Sequence, residues 1–81
     1  MPWRVIAHGD QVWHVDAVAE RPANTVAWQL ALAFRAASER PQRPAFWTLY
    51  PIEATSKTSL FIQAERIPDA ALSELLAERL A

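Results

Sequence analysis

The chain has 81 residues, a formal net charge of −1, a single glycine and no cysteine, and 52% of it is apolar. That length makes one small domain, which buries only about 60% of the surface its unfolded chain exposes, and such an apolar composition does not describe a disordered chain. Disulfides, thiolate metal sites, a thiol nucleophile and a glycine-rich phosphate loop are excluded. The eight Lys and Arg residues, seven of them Arg, are interspersed with nine carboxylates. No basic block marks a nucleic-acid or membrane-surface binder.

No apolar run approaches the length of a membrane span. The opening residues Met1 to Gly9 lack the charged-then-apolar build of a signal peptide. The expected compartment is therefore cytoplasmic. The preference for Ala, and for Arg over Lys, points to a high-GC bacterial source.

Trp3 to His8 and Gln11 to Val18 read as two strands joined at Gly9-Asp10. Glycine followed by Asp suits a type II′ hairpin turn, whose first central residue needs positive φ. A two-residue turn pairs His8 with Gln11, Ile6 with Trp13 and Val5 with His14. One face then carries Trp3, Val5, Ala7, Val12, His14 and Asp16. The other carries Arg4, Ile6, His8, Gln11, Trp13 and Val15. Neither face is cleanly polar, which suggests a sheet covered in part on both sides or one using its second surface for association.

Ala19 to Asn24, with its Glu-Arg-Pro and Asn-Thr, is a connection. Val26 to Phe34 follows as the central strand, running to Arg35 or Ala36. Val26, Trp28, Leu30, Leu32 and Phe34 alternate with Ala27, Gln29, Ala31 and Ala33, so all five large side chains line one face. A helix would split them, although the alanines favour one. Ser38 to Pro44, with two prolines and three charges, reads as an exposed loop. Phe46 to Tyr50 is a fourth strand, ended by Pro51.

Lys57 to Ile67 reads as a helix with Leu60, Phe61, Ala64 and Ile67 on one stripe and Ser56 as N-cap. Ile62 faces the other way, and a strand is the alternative there. Pro68 ends this element and Asp69 can cap the next. Ala70 to Leu80 is a second helix with Leu72, Leu75, Leu76 and Leu80 on one face.

The fold class expected is α+β: an antiparallel sheet of about four strands in a ββββαα meander with two short C-terminal helices. The alternative order is ββαββα. The expected core is Val5, Trp13, Val15, Trp28, Leu30, Leu32, Phe34, Trp47, Leu49, Leu60, Phe61, Leu72, Leu75 and Leu76. The small residues opposite the large ones in the central strand invite another layer to approach closely. The helices would lie there, and a second copy of the chain would cover the large face.

His8, Asp10, His14 and Asp16 are the one cluster of catalytic residue types. The hairpin register puts His8 and His14 on opposite faces, leaving His14 and Asp16 as a pair, too few to hold a metal. Ser56, Lys57 and Ser59 imitate a serine–lysine arrangement without neighbours that would activate the Lys. No catalytic residue, metal site or cofactor is therefore expected. Arg35, Arg40, Arg43 and Trp47, around the proline-rich loop and the strand after it, are the candidate binding residues, since Arg beside aromatics marks protein hot spots. The expected function is a non-enzymatic protein-interaction module that takes a protein partner or self-associates, as a homodimer through the sheet or an edge strand. The alternatives are a small metal-dependent or hydrolytic activity centred on His14 and Asp16, and a weak single-stranded nucleic-acid binder using Arg35, Arg43 and Trp47. Neither a membrane nor nucleic acid is the expected partner.

Overall fold

A computed structural model describes residues 2–37 and 46–80. The elements run β1 (Arg4–His8), β2 (Gln11–Glu20), β3 (Trp28–Ala36), β4 (Phe46–Ala54), α1 (Lys57–Glu65) and α2 (Asp69–Leu80). The strands form one antiparallel sheet in the order β1-β2-β3-β4, and the fold is α+β with both helices at the C-terminal end. The ββαββα order is overturned, because residues 28–36 are strand and 57–65 are helix.

The β1–β2 hairpin has the register that its turn dictates, with His8 opposite Gln11, Ile6 opposite Trp13 and Val5 opposite His14. Gly9 has φ +61 while Asp10 keeps a negative φ, as a type II′ turn requires. Strand β2 runs two residues past Val18, because Ala19 and Glu20 pair with Leu30 and Gln29 of β3. Asn24, at φ 66, occupies the left-handed region that Asn tolerates, in the turn leading to β3. Val26 precedes the strand and is 78% exposed, so the large stripe of β3 begins at Trp28.

Both helices lie on the large-residue face. Leu30, Leu32 and Phe34 of β3 join Ile6, Trp13 and Val15 of the hairpin, Leu60, Ala64 and Ile67 at α1, and Leu72 and Leu76 of α2 in one core. Phe46 stacks on Phe34 with ring centroids 5.0 Å apart and meets Trp13 edge-on at 6.4 Å. This arrangement corrects the expectation that the helices lie on the alanine face. Two short helices need large side chains to fill the space between layers, and residues 31 and 33 offer only methyl groups. Each fully buried Leu or Phe contributes about 1.5–3 kcal/mol of apolar burial, so the layers close where those residues are.

Three residues of the expected core are instead exposed. Val5, Trp47 and Leu49 point to the opposite face, at 54%, 54% and 59% exposure. In β4 both alternating sets are mostly apolar, each with one polar member (Thr48 or Glu53), so hydrophobicity alone leaves the phase open and a one-residue slip exchanges them. Pairing with β3 decides it: Phe46 is opposite Phe34, Thr48 opposite Leu32 and Tyr50 opposite Leu30. Trp28, Phe61 and Leu75 are half-buried against the core.

Strand β4 also continues through Pro51. Gln29 pairs with Glu53 while its neighbour Leu30 pairs with Tyr50, so Pro51 and Ile52 bulge out of the ladder. Proline is tolerated there because β4 is an edge strand. Two extra residues preserve the alternation, and Ile52 and Ala54 still pack on the core.

Ser56 caps α1, its hydroxyl accepting from the Ser59 amide at 3.1 Å. Ile62 is exposed on the outer side of α1, as the helical stripe requires. The cap of α2 is Pro68 and not Asp69: the Pro68 carbonyl accepts from Ala71 and Leu72, which makes Asp69 the first helical residue. The Asp69 carboxylate is used elsewhere. It receives Arg4 Nη1 at 2.9 Å, and the same guanidinium donates to the carbonyls of Ile67 (2.7 Å), Glu65 (3.0 Å) and Ala64 (3.4 Å). Helix α1 has no basic residue in its last turn. Arg4 supplies that charge from β1, at the negative end of the helix dipole, and ties both helices to the sheet.

Candidate functional site

The face of the sheet away from the helices is left uncovered by the described residues. The ladder fixes which side chains share it. Val5 and Ala7 come from β1; Val12, His14, Asp16, Val18 and Glu20 from β2; Gln29, Ala31, Ala33 and Arg35 from β3; Trp47, Leu49 and Glu53 from β4.

Its relief follows from residue size. Trp47 lies opposite Ala33 and Leu49 opposite Ala31, while on the other flank Asp16 and Val18 pair with the same two alanines. The large side chains of β4 and the medium ones of β2 thus stand as ridges beside a furrow floored by methyl groups. Ala31 and Ala33 are buried by those ridges although no layer among the described residues covers them. A cavity of about 190 Å³, lined by Glu20, Ala31, Trp47, Thr48 and Leu49, sits in this furrow. A second, of about 530 Å³, opens above the bulge, lined by Gln29, Leu49, Tyr50, Pro51, Ile52 and Glu53.

The charges on this face are Asp16 and Arg35 toward one end of the furrow and Glu20 and Glu53 toward the other. Arg35 Nη2 donates to Asp16 Oδ2 at 2.9 Å, and both side chains keep partial contact with solvent. Such an exposed pair contributes about 0–1 kcal/mol, so it orients two side chains more than it stabilises the fold. Glu20, Gln29 and Glu53 gather at the end of the furrow by the bulge.

Of the four candidate binding residues, Arg35 and Trp47 share this face on neighbouring strands. Arg40 and Arg43 lie outside the described residues. His14 and Asp16 share the face as well, but the Asp16 carboxylate is held by Arg35 and no His14–Asp16 bond forms. Among the described residues no group of three or more His, Asp or Glu side chains converges on a metal position. Lys57 stands 4.9 Å above the Trp28 ring, with the Arg21 guanidinium 5.3 Å from the same ring. These contacts use Lys57 as a cation on an aromatic face, far from any nucleophile arrangement with Ser56, which is occupied as the α1 cap.

The apolar members of the face, Leu49 and Val18, escaped sequence reasoning as site residues. A usable signal was the match of large to small: Trp47 and Leu49 are spaced as Ala33 and Ala31 are, two residues apart, on strands that a meander makes neighbours.

Comparison with protein-family models, with curated proteins and with solved structures found no match. No helix among the described residues is long and apolar enough to cross a membrane.

Proposed function

We propose that this chain is a non-enzymatic protein-interaction module and that the helix-free face of its sheet is the docking surface. One observation carries the reading: Trp47 and Leu49, both more than half exposed, stand with Val18 around the Ala31–Ala33 furrow on a face that no other element among the described residues covers. A contiguous apolar patch of this kind marks an interaction site far more often than scattered exposed residues do. Trp and Arg, which dominate binding hot spots, are both present there as Trp47 and Arg35.

The test is protein-detected NMR on isotope-labelled chain, diluted in buffer and then placed in concentrated cell extract. Amides around Asp16–Val18, Ala31–Arg35 and Trp47–Leu49 are expected to shift or broaden, and Leu49→Lys is expected to suppress the response. Unmoved amides on this face under both conditions, or changes confined to the helices, overturn the reading.

Arg35 beside Trp47 is also the makeup of a single-strand nucleic-acid platform. That second reading predicts oligonucleotide binding that weakens steeply with salt. Asp16, Glu20 and Glu53 on the same face oppose it. A hydrolytic or metal-dependent role for His14 and Asp16 has less support, since Arg35 occupies the carboxylate. If His14→Ala changes no measured property, that role is gone.

A further inference from the structure

We infer that the occupant of this face is a second copy of the chain, docked face to face so that the β4 ridge of each copy lies in the β3 furrow of the other. The inference rests on the docking-face reading and names its partner.

The ladder itself supplies the match. Consider a twofold axis between two facing sheets, parallel to the strands and midway between β3 and β4. Rotation about it sets each β4 over the other copy's β3 and preserves position along the strands. Within the chain Trp47 is level with Ala33, and Leu49 with Ala31. The second copy therefore brings its Trp47 over Ala33 and its Leu49 over Ala31. Large meets small at both positions, twice by symmetry, as an isologous contact demands. Facing sheets cross at about 30°, and these two pairs sit beside the axis, where that angle displaces them least.

Other axes lose the match. An axis across the strands sets β4 on β4, and ridge meets ridge. An axis between β2 and β3 carries Trp47 and Leu49 out past β2, where β1 is too short to receive them, since its ladder ends at Arg4 opposite Val15. In the chosen arrangement the incoming indole also lands beside Arg35, two residues from Ala33 on the same face. The guanidinium, already steered by Asp16, is placed to stack on it.

Area sets the strength. Side chains of roughly 150–250 Å² for an aromatic, exposed by half, give on the order of 800 Å² in total over both copies with the flanking residues included. That is the size of a transient contact, so the dimer is weak. Glu20 and Glu53 of both copies gather at one exposed end of the interface, and screening their repulsion with salt should tighten it.

The chain has no cysteine, so single introduced cysteines report only on contact between copies. Leu49 and its symmetry mate lie one strand spacing apart laterally, whereas Val5 and its mate lie five spacings apart, roughly 24 Å at about 4.8 Å each. The 81-residue chain carrying Leu49→Cys is expected to form dimers with the shortest bis-maleimide cross-linker, and Val5→Cys is not. Sedimentation equilibrium from about 10 μM to 1 mM, the range of weak complexes, should show mass rising toward twice that of the chain. Moderate sodium chloride should increase the association. Ala33→Leu, which fills the furrow, should weaken it at least about tenfold; Leu49→Lys gives the same result should the larger floor residue disturb folding, which circular dichroism checks. Equal cross-linking of Val5→Cys and Leu49→Cys overturns the arrangement. A single-chain mass at every concentration overturns self-association, and if extract still broadens this face in the NMR experiment, the docking-face reading survives without it.

Discussion

The two faces of this sheet are built from the same four strands and differ in the size order of their side chains. On the helix side, the large residues sit on the central strand: Leu30, Leu32 and Phe34 are fully buried under α1 and α2. On the other side the order is inverted, with alanines in the middle and Trp47, Leu49 and Val18 at the flanks. A convex, large-centred face is closed by small helices of the same chain. A furrowed face, on the docking reading proposed above, would be closed by something that carries a ridge. The contrast shows that apolar content alone does not decide which surface a small domain buries within itself; relief does.

The sharpest way to break that comparison is to hollow the convex face. Phe34→Ala removes a fully buried ring stacked on Phe46 and is expected to cost about 3–5 kcal/mol in urea unfolding. A loss below about 1 kcal/mol would mean the helix side is not the stabilising core. Arg4→Ala comes next. It strips three carbonyls and Asp69 of a partly buried charged donor, and about 2–3 kcal/mol is expected. Arg4→Lys should recover only part of this, because an ammonium cannot serve four acceptors spread over two helices.

On the furrowed face the same experiments should barely register. Trp47→Ser is expected to change monomer stability by no more than about 0.5 kcal/mol while abolishing concentration-dependent sedimentation. If it destabilised the fold as Phe34→Ala does, Trp47 would belong to the core after all. The smallest effect is reserved for Arg35→Ala, which removes one exposed ion pair. About 0.3 kcal/mol of stability is expected at low salt, and less still at high salt.

Much of the fold was legible from local chemistry. The positive φ that Gly9 supplies set the hairpin register, and the alternation from Trp28 to Phe34 set the strand and its large face. Ser56 and the leucine spacing from Leu72 to Leu76 set the helices. The site was legible only in part. Arg35 and Trp47 stood out by type, but whether they meet depended on a ladder between strands separated by nine residues of sequence. Leu49 was read as core because the aromatic-rich run from Phe46 to Tyr50 is mostly apolar in both phases.

What the sequence by itself determined is the set of elements, their order and the large face of β3, because caps, turns and periodicity act over a few residues. Only the tertiary structure decided the phase of β4, the side on which the helices lie, and the reach of Arg4 to the ends of both helices. Each of these is a choice between local alternatives of nearly equal energy. Contacts across the whole chain separate them: Phe46 against Phe34, Leu60 and Leu72 in the core beside Leu32, and a guanidinium meeting carbonyls sixty or more positions away.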